Sequence, residues 1–171
     1  MLKFLTDCLR LIRVITESGV YEIPAAIKRP MVFVIQEGFP SGEYLLIENR
    51  QPLKFDSKIP QGGLAIWHID ENAAMSTGGF VGQTNWPRNG NHYRIALLQA
   101  DGSYHLEKGH NYGDAGDLWH ADGNAYLGSS KSMLGPYPNT DAYQNGMILR
   151  TGIEISEISI SSIIMSFRVT L

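Results

Sequence analysis

The chain reads as a mainly β protein: an antiparallel β-sandwich, jelly-roll-like, with long Gly- and Asp-rich loops and little helix. Three observations predict this. Short runs of β-branched and aromatic residues recur along the chain with turn residues between them. A helical repeat of apolar residues is confined to the first dozen or so positions. Charged residues make up only 18% of the 171, below the usual quarter, while glycine reaches 18 residues, which suits a loop-rich β protein. Many strands without alternating helices imply two packed sheets.

Leu2, Leu5, Leu9, Ile12, Val14 and Ile15 follow the spacing of a short amphipathic helix passing into a strand. Residues 1–14 are therefore expected to be an N-terminal extension, and 15–171 one β-sandwich domain. Gly19–Ile23 is a strand stopped by Pro24. Met31–Ile35 and Glu43–Glu48, joined across Phe39-Pro40-Ser41-Gly42, read as a hairpin. Leu64–Ile69 is a continuous apolar run between Gly62-Gly63 and Asp70-Glu71, and reads as a central strand buried on both faces. His92–Ala100 is a further strand, ended by Asp101-Gly102. From Gly102 to Asn145 the pattern breaks down into Gly, Asp, Asn, Ser, Pro and single aromatics, and an ordered loop of that length is usually functional. Ile153–Ile160 alternates apolar and polar residues, and with Ile163–Val169 it forms a closing hairpin.

Composition excludes several functions. A net charge of -3 with scattered Lys and Arg gives no basic stripe for nucleic acid. No stretch reaches the roughly 18 apolar residues of a membrane helix. Cys8 is the only cysteine, so an internal disulfide and a cysteine-based zinc site are excluded, and it reads as a small buried hydrophobe. The start is not expected to be a signal peptide, because Asp7, Arg10 and Arg13 interrupt its apolar run.

The most informative polar segment is Gly113-Asp114-Ala115-Gly116-Asp117. Two carboxylates three residues apart in a glycine-rich turn can converge on one point, and calcium takes six to eight such oxygens. Asp101, Asp122, Asn111 and Asn124 are possible further donors. The other reading is that Asp114 and Asp117 cap turns by accepting local N–H groups. The histidines (His68, His92, His105, His110, His120) do not form His-Glu-x-x-His, and His105 to His110 has the wrong spacing with Gly109 inside it. His68-Ile69-Asp70-Glu71 ends the predicted central strand, either as a hydrogen-bonded structural group or as a His beside carboxylates that could act in acid–base chemistry. Trp86, Tyr104, Tyr112, Trp119, Tyr126, Tyr137 and Tyr143 sit in loop-like segments, as plugs beneath the long loop or as a binding surface.

Four strings in order resemble one family. Glu43-Tyr44-Leu45-Leu46-Ile47-Glu48-Asn49-Arg50-Gln51 resembles "EYFLIENRQ". Phe55-Asp56 through Ile59-Pro60-Gln61-Gly62-Gly63-Leu64-Ala65-Ile66-Trp67-His68-Ile69-Asp70-Glu71 resembles "FD…LPGxGLLIWHIDE". Tyr93–Gly102 resembles a strand ending "ValLeuGlnAlaAspGly", and Gly113–Leu118 resembles "GDAGDLF". Together they are similar to immune-inhibitor-A-type secreted zinc metallopeptidases, in the region after the catalytic domain. Ala65 and Trp119 stand where a larger aliphatic and Phe are usual. The resemblance implies an exported protein, a peptidase catalytic domain as partner in the upstream sequence, calcium bound for stability at Asp114 and Asp117 with Asp101 as a weaker addition, and a structural network of Glu48, Asn49, Arg50, His68 and Asp70. It transfers no catalytic residue and no zinc, since the zinc helix is missing. A non-catalytic accessory domain is the first expectation. A free-standing carbohydrate- or protein-binding module is the second, and a hydrolase using His68, Asp70 and Glu71 the third.

Overall fold

The strands expected from the alternating segments pair into two main sheets in a computed structural model that describes residues 11–73, 93–129, 138–144 and 147–171. The first sheet has five strands, β1 (Ile12–Ile15), β3 (Val32–Ile35), β4 (Glu43–Arg50), β5 (Gly63–Asp70) and β6 (Ile95–Leu97), side by side in that order. The second has four, in the order β2 (Gly19–Pro24), β11 (Ile164–Thr170), β10 (Glu154–Ser156), β7 (Leu127–Gly128). β8 (Ala142–Gln144) and β9 (Met147–Leu149) form a small separate pair. All pairings are antiparallel except β1 with β3. The helical content among the described residues is one 3-10 turn, Lys54–Asp56.

The expected hairpins form. β3 pairs with β4, and β10 with β11 from Glu154↔Thr170 onward. Gly38 and Gly42 in the β3–β4 connection have φ of +76° and +87°, conformations that favour glycine. Pro24 is tolerated because β2 is an edge strand. Three expectations need adjustment. Ile12–Ile15 is strand, so the sheet begins ahead of residue 15; residues 1–10, with Cys8, lie outside the described residues. Of the expected 92–100 strand, the described residues 93–100 are strand over Ile95–Leu97 alone, and β10 stops at Ser156, where Glu157 takes φ +49°.

Strand alternation decides which side chains face the other sheet. Phe33 meets Phe167 across the interface, their ring centroids 5.7 Å apart, and Tyr21 packs on both. Asn49 reaches the β2 carbonyl of Ile23. Phe33, Ile35, Leu45, Ile47, Leu64, Ile66 and Leu98 thus pack against Ile23, Ile155, Met165, Phe167 and Val169 in one buried core. The opposite faces differ. The outer face of the four-stranded sheet carries Glu22, Ser166, Arg168, Thr170, Glu154 and Ser156, with Val20, Pro24 and Ile164 as its apolar members. On the outer face of the five-stranded sheet, Val14, Val34, Leu46, Trp67 and Leu97 are successive cross-strand partners, an apolar row spanning all five strands. Ile12, Val32, Ile69 and Ile95 flank it.

Candidate functional site

At one end of that outer face lies a cavity of about 500 Å³. Its floor is Ala65, Trp67 and Leu97 of β5 and β6. One wall is the 54–60 segment and the other the 106–118 segment. The Glu48-Asn49-Arg50 string builds this place. Glu48 and Arg50 point outward, Asn49 inward. Glu48 Oε1 accepts the Trp67 indole N–H at 3.2 Å and fixes the floor. Arg50 donates to Asp56 Oδ1 at 2.7 Å and lies 3.5 Å from Glu48, which anchors the 3-10 turn to the sheet. That turn starts at Lys54 with φ +51°, a costly conformation for a side chain with a Cβ, and raises Phe55 to 94% exposure. Tyr112 of the other wall is fully exposed. Arg50 Nε and Asp117 Oδ1, both from cavity-lining residues, are shielded from water without a hydrogen-bond partner.

Asn49 is a rivet between the sheets. Fully buried, it donates to the carbonyls of Ile23 and Ser162, each at 3.0 Å, and accepts Gln51 Nε2 at 2.8 Å.

The Asp-rich loop is tied down first by the 118–119 backbone. Leu64 and Trp119 exchange N–H and C=O bonds at 2.9 and 3.0 Å, and the buried Trp119 indole donates to Leu98 O at 2.7 Å. Gly63 makes this approach possible: a Cβ there would sit 2.7 Å from Trp119 O and 2.9 Å from Leu118 Cβ. Within the loop the carboxylates accept backbone N–H groups, as in the turn-capping reading. Asp101 takes Ser103 N–H, Asp114 takes Gly116 N–H, and Asp117 takes Asp114 N–H at 2.7 Å. Asp114 also accepts Asn111 Nδ2 at 2.8 Å and lies 3.1 Å from His105 Nδ1. The Gly116 N–H bond, with His105, holds the Asp114 carboxyl below its ordinary range. Burial pushes Asp117 up, helped by the charges of Asp114 and Asp101.

Donor atoms of Asp101, His105 and Asp114 lie within 4.8 Å of one another. Asp117 is not in that group, although its buried Oδ1 lacks a partner. Two carboxylates and an imidazole suit zinc, iron or nickel better than calcium, which prefers oxygen alone. His105 was not foreseen as a member; its spacing from Asp114 gives no signal until the loop folds.

His68 and Asp70 part company. His68 is buried, its Nε2 2.7 Å from Glu43 Oε1, and that oxygen also accepts the Tyr143 N–H at 2.7 Å. The His68 ring lies between Phe39 and Tyr143. The partner is thus Glu43 across the β4–β5 ladder rather than a carboxylate next in sequence. Asp70 instead accepts the Asn72 N–H at 2.8 Å and caps the turn after β5. Of the loop aromatics, Trp119, Tyr104 and Tyr143 are buried, Tyr126 is half exposed with its hydroxyl on Glu154, and Tyr112 is free at the surface. Trp86, Tyr137 and His92 lie outside the described residues. Phe55 was missed; its one signal is a large apolar residue in the turn-forming stretch 52–62. No helix among the described residues is long and apolar enough to cross a membrane.

No protein-family model, curated protein or solved structure matches the chain.

Proposed function

We propose that the chain is a non-catalytic accessory β-domain of an immune-inhibitor-A-type zinc metallopeptidase, exported with it, and that it stabilises or orients the catalytic domain by docking through the outer face of the five-stranded sheet. The observation that carries this reading is the row Val14–Val34–Leu46–Trp67–Leu97, in which Val14 is exposed, Leu46, Trp67 and Leu97 are half-buried and Val34 is already covered. An antiparallel sheet with one face on the core normally turns polar residues outward, as the other sheet of this molecule mostly does. A face with apolar residues on every strand is what a partner surface requires, because apolar area removed from water stabilises association by about 25 cal/mol per Å² before the costs of binding. The four-string resemblance supplies the identity of the partner.

The reading includes a divalent cation at the 101–117 loop. Asp101 and Asp114 would hold it, with His105 as the nitrogen donor, and the ion would tie the loop to the sheet edge. The convergence of these three donors supports it, and the hydrogen bonds already closing the loop weigh for turn capping. A melting scan with calcium, with zinc and with a chelator separates the two. An ion at a hundred times its dissociation constant raises stability by about 2.7 kcal/mol, and identical melting in all three removes the ion from the account.

The docking test is size-exclusion chromatography of the chain mixed with the His-Glu-x-x-His catalytic domain encoded upstream. Co-elution that is lost on Leu46→Glu is expected. Separate elution of the two, or no such domain upstream, overturns the reading. The second reading, a free-standing binding module, is favoured by the cavity with its exposed Phe55 and Tyr112.

A further inference from the structure

We propose that the cavity between the 54–60 and 106–118 segments is a peptide-binding site that takes one apolar side chain of an extended segment, with a backbone amide of that segment at its polar edge. Three independent features point to a ligand. The cavity, at about 500 Å³, falls in the range of ligand sites, and its floor and walls are mostly apolar: Ala65, Trp67, Leu97, Leu106 and Ile59. Two large rings, Phe55 from one wall and Tyr112 from the other, stand in water instead of packing into the core. Phe55 is raised by a turn whose first residue, Lys54, is a non-glycine at φ +51°, and the Arg50–Asp56 ion pair anchors that turn. Exposed apolar area and backbone strain both oppose folding, and neither contributes to the core.

The polar edge selects the ligand class. Among the described residues three buried side-chain polar atoms lack hydrogen-bond partners, and two of them belong to residues lining this cavity. Arg50 Nε is a donor and Asp117 Oδ1 an acceptor. Each sits on a side chain that lines the cavity, and a buried donor or acceptor without a partner gains from a ligand group that reaches it. One donor and one acceptor match one peptide amide, whose C=O accepts from Arg50 and whose N–H donates to Asp117. A sugar ring in the same space would bury hydroxyls against the apolar floor of Ala65, Trp67 and Leu97, and each hydroxyl left unpaired there opposes binding. Arg50 is already paired with Asp56, so no strong net charge selects an ionic ligand. The cavity shares Trp67 and Leu97 with the apolar row, while Val14, Val34 and Leu46 lie outside it.

The test is two-dimensional NMR of the full chain titrated with acetyl-Ala-Phe-Ala-amide, with acetyl-Ala-Ser-Ala-amide and chitotriose as comparison probes. Saturable shifts are expected at the amides of Phe55, Leu97, Gly113 and Leu118 and at the Trp67 indole, with the Phe peptide alone. Phe55→Ala and Tyr112→Ala change only exposed side chains, so both variants fold, and each is expected to weaken binding about fivefold, as loss of an aromatic contact does. Shifts with chitotriose but not the Phe peptide would overturn the inference in favour of a glycan. No shifts with any probe, or Phe-peptide binding unchanged in both variants, would overturn it outright. Val14→Glu, on the edge strand farthest from the cavity floor, is expected to leave this titration unchanged while weakening domain docking, so failure of one reading is distinguishable from failure of the other.

Discussion

Replacing Asn49 with Ala tests whether the two sheets are held in register by a buried amide as well as by apolar packing. The side chain has no solvent exposure and three short hydrogen bonds, to Ile23 O, Ser162 O and Gln51 Nε2. Truncation removes all three at once and leaves two carbonyls and one amide N–H to find new partners. Each orphaned buried group costs about 1–3 kcal/mol. The Gln51 amide keeps a contact with the Met165 sulfur at 3.7 Å, so the lower end of that range suits it. The sum is about 3–5 kcal/mol, a large share of the 5–15 kcal/mol of a typical domain. In urea, with a slope of about 2 kcal/mol/M, the midpoint falls by about 1.5–2.5 M with the slope unchanged. Asn49→Asp is expected to lose at least as much, because it turns a carboxylate oxygen toward two carbonyls. A loss under about 1 kcal/mol for Asn49→Ala would refute the reasoning, since it would mean that the sheets do not depend on this contact.

Gly63→Ala places a methyl against Trp119 O and Leu118 Cβ and is expected to cost about 1–3 kcal/mol; faster amide exchange at Trp119 and Leu64 would report release of the loop from β5. Acid should loosen the 101–117 loop through Asp114. Its carboxyl is held below the ordinary value, so its contribution is complete above the unfolded carboxylate range near pH 4 and is lost as pH falls through the lower folded value. Asp114→Asn removes this acid limb from a melting-against-pH profile, and a profile unchanged by that variant would count against the assignment. Asp117 has the opposite sign: burial raises its folded value, so its ionisation opposes folding as pH rises through the acid range. Without added metal, Asp117→Asn should therefore gain relative to the parent chain as pH rises from about 4, and a relative loss would indicate an ion or cation holding the carboxylate.

The fold was legible where side-chain period and turn residues agree. Glu43–Glu48 and Leu64–Ile69 carry their strand signals locally, and Gly62-Gly63 marks a close backbone approach that the structure explains through Trp119. The closing hairpin was legible for the same reason. The N-terminal spacing, read as a helix passing into a strand, did not place the start of the strand at Ile12, because β1 is held by parallel pairing with β3, a long-range contact that local spacing does not encode. The site was less legible. Asp114 and Asp117 stood out by sequence, yet the group nearest convergence is Asp101–His105–Asp114, set by how the loop folds back on Gly116 and not by spacing. His68 was visible as a buried polar residue, but Glu43 opposite it depends on strand register. The outer apolar row is invisible in any one strand, since it exists only once five strands are aligned.

Docking through that row is the claim on which the function rests. Calorimetric titration of the chain into a His-Glu-x-x-His catalytic domain of the proposed family, at several temperatures, tests it most directly. A saturable 1:1 association with a negative heat-capacity change, the mark of apolar burial, weakened by about a hundredfold or more on Leu46→Glu as for a central contact residue, is the predicted result. No association, or binding that Leu46→Glu leaves intact, would contradict the account.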